Sequence, residues 1–509
     1  MRHLSRWTGR CLYAGALLLL AVACHGGHSD PDPGGGTPSA CAASGQAGLL
    51  KALGDARLVA DTSADIGARL SAIPGMSVQE NPSGVKVPTD YRFFLLQYTQ
   101  PADHAHPECQ TFTQRLTLLH TSDTAPMVLY TGGYYLSPTS TSRRELTALL
   151  GSNQLTVEHR FFEPSRPHPT DWSLLTIEQS ASDFHRVVQA LKPIYGGHWV
   201  STGGSKGGET VTFFRRFYPE DVDATVAYVA PITHADDERF PSFEDAVGGA
   251  ARQDCREHLH TFLRGVLARR AELVPLLGDY AQRNALTYTR LGFDKALEHA
   301  VIETYFAFWQ YDSPDNCDQF PAVDASGQAL LDALDAEAGL NSFADTGPGS
   351  IDYYAPYYYQ AAAELGWPRP YESFLGELIQ FPDTDTGPGY SEVPVLFRDP
   401  AMRDVQDWVS TQGERLMFIY GELDPWSSAA YSLGGARDSF VFQVPGGNHG
   451  SSIDQLPEPQ HTQAIDTVRR WAGVAQTTMP HHVMARGQPQ FEPFAPHLPP
   501  RLRAPSTTR

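Results

Sequence analysis

His198-Trp199-Val200-Ser201-Thr202-Gly203-Gly204-Ser205-Lys206-Gly207-Gly208 is the stretch on which the fold turns. The apolar, β-prone start runs into a glycine-rich turn, and a helical pattern from Glu209 to Phe217 follows. Strand, turn and helix in that order put Ser205 at the centre of a Gly-x-Ser-x-Gly elbow. The glycines permit a tight turn and close approach of strand to helix. Such a turn lifts the Ser205 hydroxyl above the sheet and aims backbone N–H groups from the helix start at a reacting oxygen. Two other glycine-loop chemistries are excluded. Gly207 follows Lys206 where a phosphate loop needs Ser or Thr, and no Gly-x-Gly-x-x-Gly is present. The plain alternative is a glycine-rich turn with no chemistry.

The same signature recurs on either side. Met127-Val128-Leu129-Tyr130 runs into Thr131-Gly132-Gly133, and Leu416-Met417-Phe418-Ile419-Tyr420 runs into Gly421. Continuous apolar runs bounded by Gly read as buried strands of a parallel sheet. Helical patterns such as Thr176 to Leu191 lie between them, which implies an α/β domain. From about 234 to 394 the strand signals fade, and Cys255 to Leu277 and Asp294 to Trp309 read as helices. This predicts a largely helical cap inserted between two parts of the α/β domain, 46–233 and 395–475. The second part ends in a helix around His461 to Ala472, and a Pro-rich tail covers 476–509.

A serine nucleophile needs a base, and the base needs an orienting carboxylate. On strand–turn–helix elbows the chain order is Ser, then Asp or Glu, then His. Asp424 follows the strand ending at Tyr420, and His449 follows a strand from about Phe440 to Val444. Both sit just past a strand's C-terminal end, where ligands bind in such sheets. The arrangement predicts an α/β-hydrolase fold. Ser205 attacks a carbonyl, His449 carries the proton, and Asp424 holds the imidazole. The oxyanion hole needs the backbone N–H of Lys206 and a second donor from Gly133 or Tyr134. The plain readings are a turn residue before Pro425 for Asp424 and a surface loop for His449, one of 19 histidines.

Lys and Arg number 38 against 58 Asp and Glu, a net charge of −20, which repels phosphate backbones and excludes nucleic acid as a partner. Arg2, Arg6 and Arg10 precede a short apolar run from Cys11 to Ala23, a secretory signal over 1–23 that is too brief for a transmembrane span. Leu20-Ala21-Val22-Ala23-Cys24 resembles a bacterial lipobox, so Cys24 is the expected lipidation site, with a plain secretory signal as the alternative. The polar stretch 24–45 suits a tether. The protein is therefore expected to be exported, touching a membrane only through its anchor. Cys41, Cys109, Cys255 and Cys317 suggest two disulfides with three possible pairings. Cys41–Cys109 and Cys255–Cys317 are favoured, because each pair falls within one unit. No metal or organic cofactor is expected. The sequence lacks Cys-x-x-Cys and zinc-type spacings, and His25 and His28 lie in the tether.

The elbow region, residues 202–231, closely resembles that of the secreted bacterial tripeptidyl aminopeptidases, serine peptidases related to prolyl carboxypeptidase and the lysosomal dipeptidyl peptidases. Leu423-Asp424-Pro425-Trp426-Ser427 resembles their segment carrying the catalytic Asp. Val157-Glu158-His159-Arg160-Phe161-Phe162 and the helix from Leu175 to Phe184 resemble two further segments. Tyr359 to Gly366 looks like a cap segment of the prolyl carboxypeptidase group, with Ala362 in its Cys position, and the surroundings of His449 also depart from that group. Both departures favour the tripeptidyl group. The resemblance implies release of short peptides, tripeptides foremost, from free N-termini, with an esterase on the same fold as the alternative. The substrate ammonium must then meet a carboxylate. Glu158 is the first candidate and Glu364 the second, against a structural Glu158 paired with Arg160. The run Tyr353, Tyr354, Tyr357, Tyr358 and Tyr359 reads first as a core cap helix and otherwise as a cleft wall.

Overall fold

The computed structural model describes residues 56–475. The secretory signal, the tether, Cys24, Cys41 and the tail lie outside the described residues.

Among the described residues nine strands form one sheet: β1 (Met76–Glu80), β2 (Arg92–Pro101), β3 (Thr111–His120), β4 (Met127–Tyr130), β5 (Asn153–Val157), β6 (Trp199–Gly204), β7 (Ala224–Tyr228), β8 (Leu416–Gly421) and β9 (Phe440–Val444). Their spatial order is β1-β2-β3-β5-β4-β6-β7-β8-β9. The pairs β1/β2, β2/β3 and β3/β5 are antiparallel, and from β5 to β9 all neighbours are parallel. The sequence reading identifies β4, β6, β8 and β9. The antiparallel β1–β3 region it passes over, although Phe93, Phe94, Leu96 and Tyr98 on β2 carried a β-type signal.

The helices of eight or more residues are α1 (Ile177–Leu191), α2 (Lys206–Phe217), α3 (Arg239–Ala246), α4 (Gln253–Ala268), α5 (Arg270–Arg283), α6 (Gly292–Tyr311), α7 (Gly327–Glu337), α8 (Pro400–Gln412) and α9 (Gln460–Trp471). Thr176 caps α1, its hydroxyl accepting from Gln179 N at 3.1 Å. The central strands β4, β6, β7 and β8 are buried along their whole length because both faces are covered. Leu416, Phe418 and Tyr420 of β8 face the core shared with Phe184 of α1, Phe214 of α2 and Val409 of α8. The alternate residues Met417 and Ile419 face Val468 and Trp471 of α9. The result is an α/β-hydrolase sheet between two helical layers.

Between β7 and β8 the described chain contributes helices and no strand to the sheet. These helices pack a core of their own around Leu259, Leu263, Leu277, Tyr305 and Phe308. One expectation is corrected here. Cys255 to Leu277 is two helices, because Arg269 leaves helical geometry (φ −103°, ψ 19°) and its guanidinium donates to the carbonyls of Val323 and Ala325. Cys255 and Cys317 are disulfide-bonded with their Cα atoms 5.5 Å apart, tying α4 to the turn Pro314–Gln319. Cys109 is also disulfide-bonded.

Candidate active site

β6 ends at Gly204 and α2 begins at Lys206, so Ser205 alone makes the turn. It does so at φ 54°, ψ −129°, a strained backbone for a residue with a side chain. The glycines explain how the turn fits. A Cβ on Gly207 would lie 2.2 Å from the Thr131 carbonyl oxygen, and one on Gly203 would lie 2.4 Å from the Gly207 oxygen. Strand end and helix start therefore touch backbone to backbone. Ser205 N donates to Tyr228 O at 2.9 Å, pinning the elbow to β7.

Asp424 and His449 meet, although 25 residues separate them. His449 Nδ1 lies 2.7 Å from Asp424 Oδ2. β8 and β9 are parallel neighbours, so the loops leaving their C-terminal ends emerge side by side. Trp426 N donates to Asp424 Oδ1 at 3.2 Å. Burial pushes the Asp424 carboxyl up, and His449 offsets part of that rise. His449 N donates to the Gln310 carbonyl at 2.8 Å, so the end of α6 holds the histidine loop. Its ring packs edge-on to Tyr311, 5.8 Å between centroids. His449 Nε2 is buried and makes no hydrogen bond, so its contact with the Ser205 hydroxyl is not closed in this state. Such bonds often tighten only around a substrate.

The turn after β4 sits against the elbow. Gly133 N donates to Thr131 Oγ1 at 3.0 Å, so of the two N–H groups expected as the second oxyanion donor, that of Gly133 is engaged within the turn. Lys206 contributes more than its backbone. Its buried ammonium donates to the Gly133 carbonyl at 2.8 Å and lies 5.4 Å from the Tyr134 ring centre. Gly133 C=O and Tyr134 N–H belong to one planar trans peptide and point in opposite directions. Holding the carbonyl thus orients the Tyr134 N–H. Burial draws the Lys206 ammonium down to about 7 and pushes the Glu209 carboxyl up to about 8.

Both ammonium-anchor candidates are corrected. Glu158 is fully buried and does not line the cavity that holds Ser205. Its carboxylate accepts from Arg115, from Ser165 Oγ at 2.6 Å and from Leu136 N at 3.0 Å. Arg160 is not its partner, since that guanidinium forks onto Asp183 at 2.7 and 2.8 Å. Glu364 accepts from Ile177 N at 2.7 Å, where its charge complements the positive start of α1, and from Arg398 at 3.2 Å. The tyrosine run divides. Tyr357 and Tyr358 line the cavity above Ser205, whereas Tyr354 is buried in the helical core.

That cavity measures about 110 Å³ and is bordered by Ser205, Tyr134 and Trp426 on the sheet side and by one face of α6 opposite. Three carboxylates that the sequence reading misses, Glu244, Glu303 and Asp385, also line it. A signal existed for Glu303, the sole charge in the otherwise apolar or uncharged run from Ala300 to Trp309.

Strand order, elbow and paired Asp–His loops define an α/β-hydrolase. The chain belongs to the PS-10 peptidase S37 family, which matches residues 60–492. It is 41% identical over 440 residues to the prolyl tri/tetrapeptidyl aminopeptidase of Streptomyces mobaraensis, covering 85% of this chain and 90% of that protein. A shorter likeness, 34% over 92 residues, relates it to the lysosomal Pro-X carboxypeptidase of Bos taurus, covering 16% of this chain and 18% of that one. A third, 26% over 180 residues, is to a putative serine protease of Caenorhabditis elegans and covers 32% of each chain.

Proposed function

We propose that this protein is an exported serine aminopeptidase that releases short peptides, tripeptides foremost, from free N-termini. The observation that carries it is the strained Ser205 elbow opening into the same cavity as Trp426, beside the His449–Asp424 pair. Ser205 Oγ attacks the scissile carbonyl while His449 Nε2 takes its proton. Asp424 stabilises the imidazolium that forms. The tetrahedral oxyanion is met by the backbone N–H groups of Lys206 and Tyr134. His449 then protonates the departing amine, leaving an acyl-enzyme that water clears by the same steps reversed.

The kinship with a prolyl tri/tetrapeptidyl aminopeptidase supports the short-peptide product. Tyr357, Tyr358, Trp367 and Trp426 around the cavity suit a flat apolar ring such as that of proline. Export through 1–23 and a lipid on Cys24 belong to the same proposal. The test incubates the mature protein and its Ser205→Ala variant with a decapeptide, free or N-acetylated, and reads products by mass spectrometry. Loss of tripeptides from the free peptide alone, and only with Ser205 present, is the expected result. Cleavage of neither peptide, with turnover of short acyl esters, would replace this reading by an esterase.

A further inference from the structure

The cavity above Ser205 is acidic in a way the reaction steps do not use. Glu244 of α3 is 2% exposed, and its Oε2 atom is buried with no hydrogen-bond partner. Glu303 of α6 lines the same cavity and has no hydrogen-bond or ion-pair partner among the described residues. Asp385 completes the group, accepting from Tyr390 OH at 2.6 Å. Among the described residues lining the cavity, the single cation is Arg369, and it is turned away to Glu238 and Asp383. A buried carboxylate without a partner is costly, and a cation that arrives with the ligand removes the cost. A divalent metal is a poor occupant, since no group of three or more metal-type donors converges among the described residues.

We propose that Glu303, supported by Glu244 and Asp385, receives the N-terminal ammonium of the peptide substrate and thereby sets the length of the released product. This rests on the aminopeptidase reading above. α6 supplies the ruler. Ile302, Glu303, Phe306 and Gln310 lie along one face of it and line the cavity. At the far end of that face the Gln310 carbonyl accepts from His449 N at 2.8 Å. Seven residues of helix separate Glu303 from Gln310, an axial rise of about 10 Å. Three extended residues span about 10 Å and four about 13 Å. An ammonium held at Glu303 therefore brings the third carbonyl of the peptide to the His449 end, so three residues leave together. Burial, together with the charge of Asp385 beside it, pushes the Glu303 carboxyl up to about 8, and burial pushes Asp385 up to about 7. Burial is the larger cause of both rises, and at Asp385 the nearby charge of Lys295 offsets part of it.

The test compares the mature protein with Glu303→Gln and Glu303→Asp on a free-amine decapeptide. A fluorophosphonate probe on Ser205 reports that the elbow is intact in each variant. Glu303→Gln is expected to lose on the order of 100-fold in kcat/KM, mostly through KM, and Glu303→Asp to recover at least tenfold of it. In the native protein, a tripeptide with a free amine should protect Ser205 from the probe on the order of 100-fold better than its N-acetyl form. Unchanged cleavage and product length in Glu303→Gln would overturn the anchor while leaving the aminopeptidase reading in place. Equal protection by the two tripeptides would do the same. Failure of the native protein to prefer free-amine peptides would instead remove the aminopeptidase reading itself.

Discussion

Replacing Gly207 by alanine probes the contact on which the oxyanion geometry depends. The new Cβ would lie 2.2 Å from the Thr131 oxygen, 2.8 Å from the Gly132 carbonyl carbon and 3.0 Å from Gly132 Cα. Ordinary contact begins near 3.4 Å, so the start of α2 and the turn after β4 must separate by about 1 Å. All three atoms are backbone, and no side-chain rotation relieves the overlap. The expected stability cost is about 1–3 kcal/mol, as for other overpacked sites. The two surfaces forced apart carry the Lys206 and Tyr134 N–H groups. A misplacement of about 1 Å costs on the order of 100-fold in rate. The loss should fall on kcat, because the far wall of the cavity belongs to α6 and does not move. The assay is kcat and KM on a chromogenic tripeptidyl amide with a free amine, alongside calorimetric Tm. Gly197→Ala is the control, since its Cβ would meet Ala125 O at 3.6 Å and Thr124 O at 3.7 Å, both ordinary contacts. A Gly207→Ala enzyme with kcat within threefold of native and an unshifted Tm would refute the reasoning.

Three further outcomes are expected. Asp424→Asn removes the acceptor that holds His449 Nδ1–H and should lower kcat by about four orders of magnitude without unfolding the protein; a loss under tenfold would remove Asp424 from its role. Burial alone would raise the Asp183 carboxyl, but the Arg160 guanidinium and His104 outweigh it and hold it below the usual carboxylate range. Its contribution to stability is therefore present above the unfolded value of about 3.9 and is lost as pH falls through the lower folded one. Asp183→Asn strands a buried guanidinium and should cost about 3–5 kcal/mol at pH 7 by denaturant melts, with the deficit shrinking toward pH 3. The paired substitution Cys255→Ser with Cys317→Ser opens a loop with 62 residues of sequence separation and should cost about 4 kcal/mol, read as a lower Tm with cleavage at 25 °C retained.

Much of the chemistry was legible because its signals are local. Strand, turn and helix around Ser205 fall within about twenty residues, and each of Asp424 and His449 follows a short apolar strand of its own. The β1–β3 region escaped notice because its strands pair antiparallel, and β1 and β2 mix buried and exposed residues with no Gly-bounded apolar run to mark them. The single helix expected from Cys255 to Leu277 broke at Arg269 because carbonyls more than fifty residues away offered its guanidinium acceptors.

By itself the sequence determined the nucleophile elbow, the order of the residues that follow it and the glycines that let strand and helix touch. These depend on backbone conformation over a few neighbouring residues. Only the tertiary structure decided what each buried carboxylate serves. Glu158 and Glu364 looked alike as anchors, yet one is taken by Arg115, 43 positions away, and the other by Ile177 N, 187 positions away. Glu303 lines the cavity above Ser205 because α6 packs there, and it has no partner among the described residues. A buried charge is governed by the partners that packing brings to it, and a linear chain does not display them.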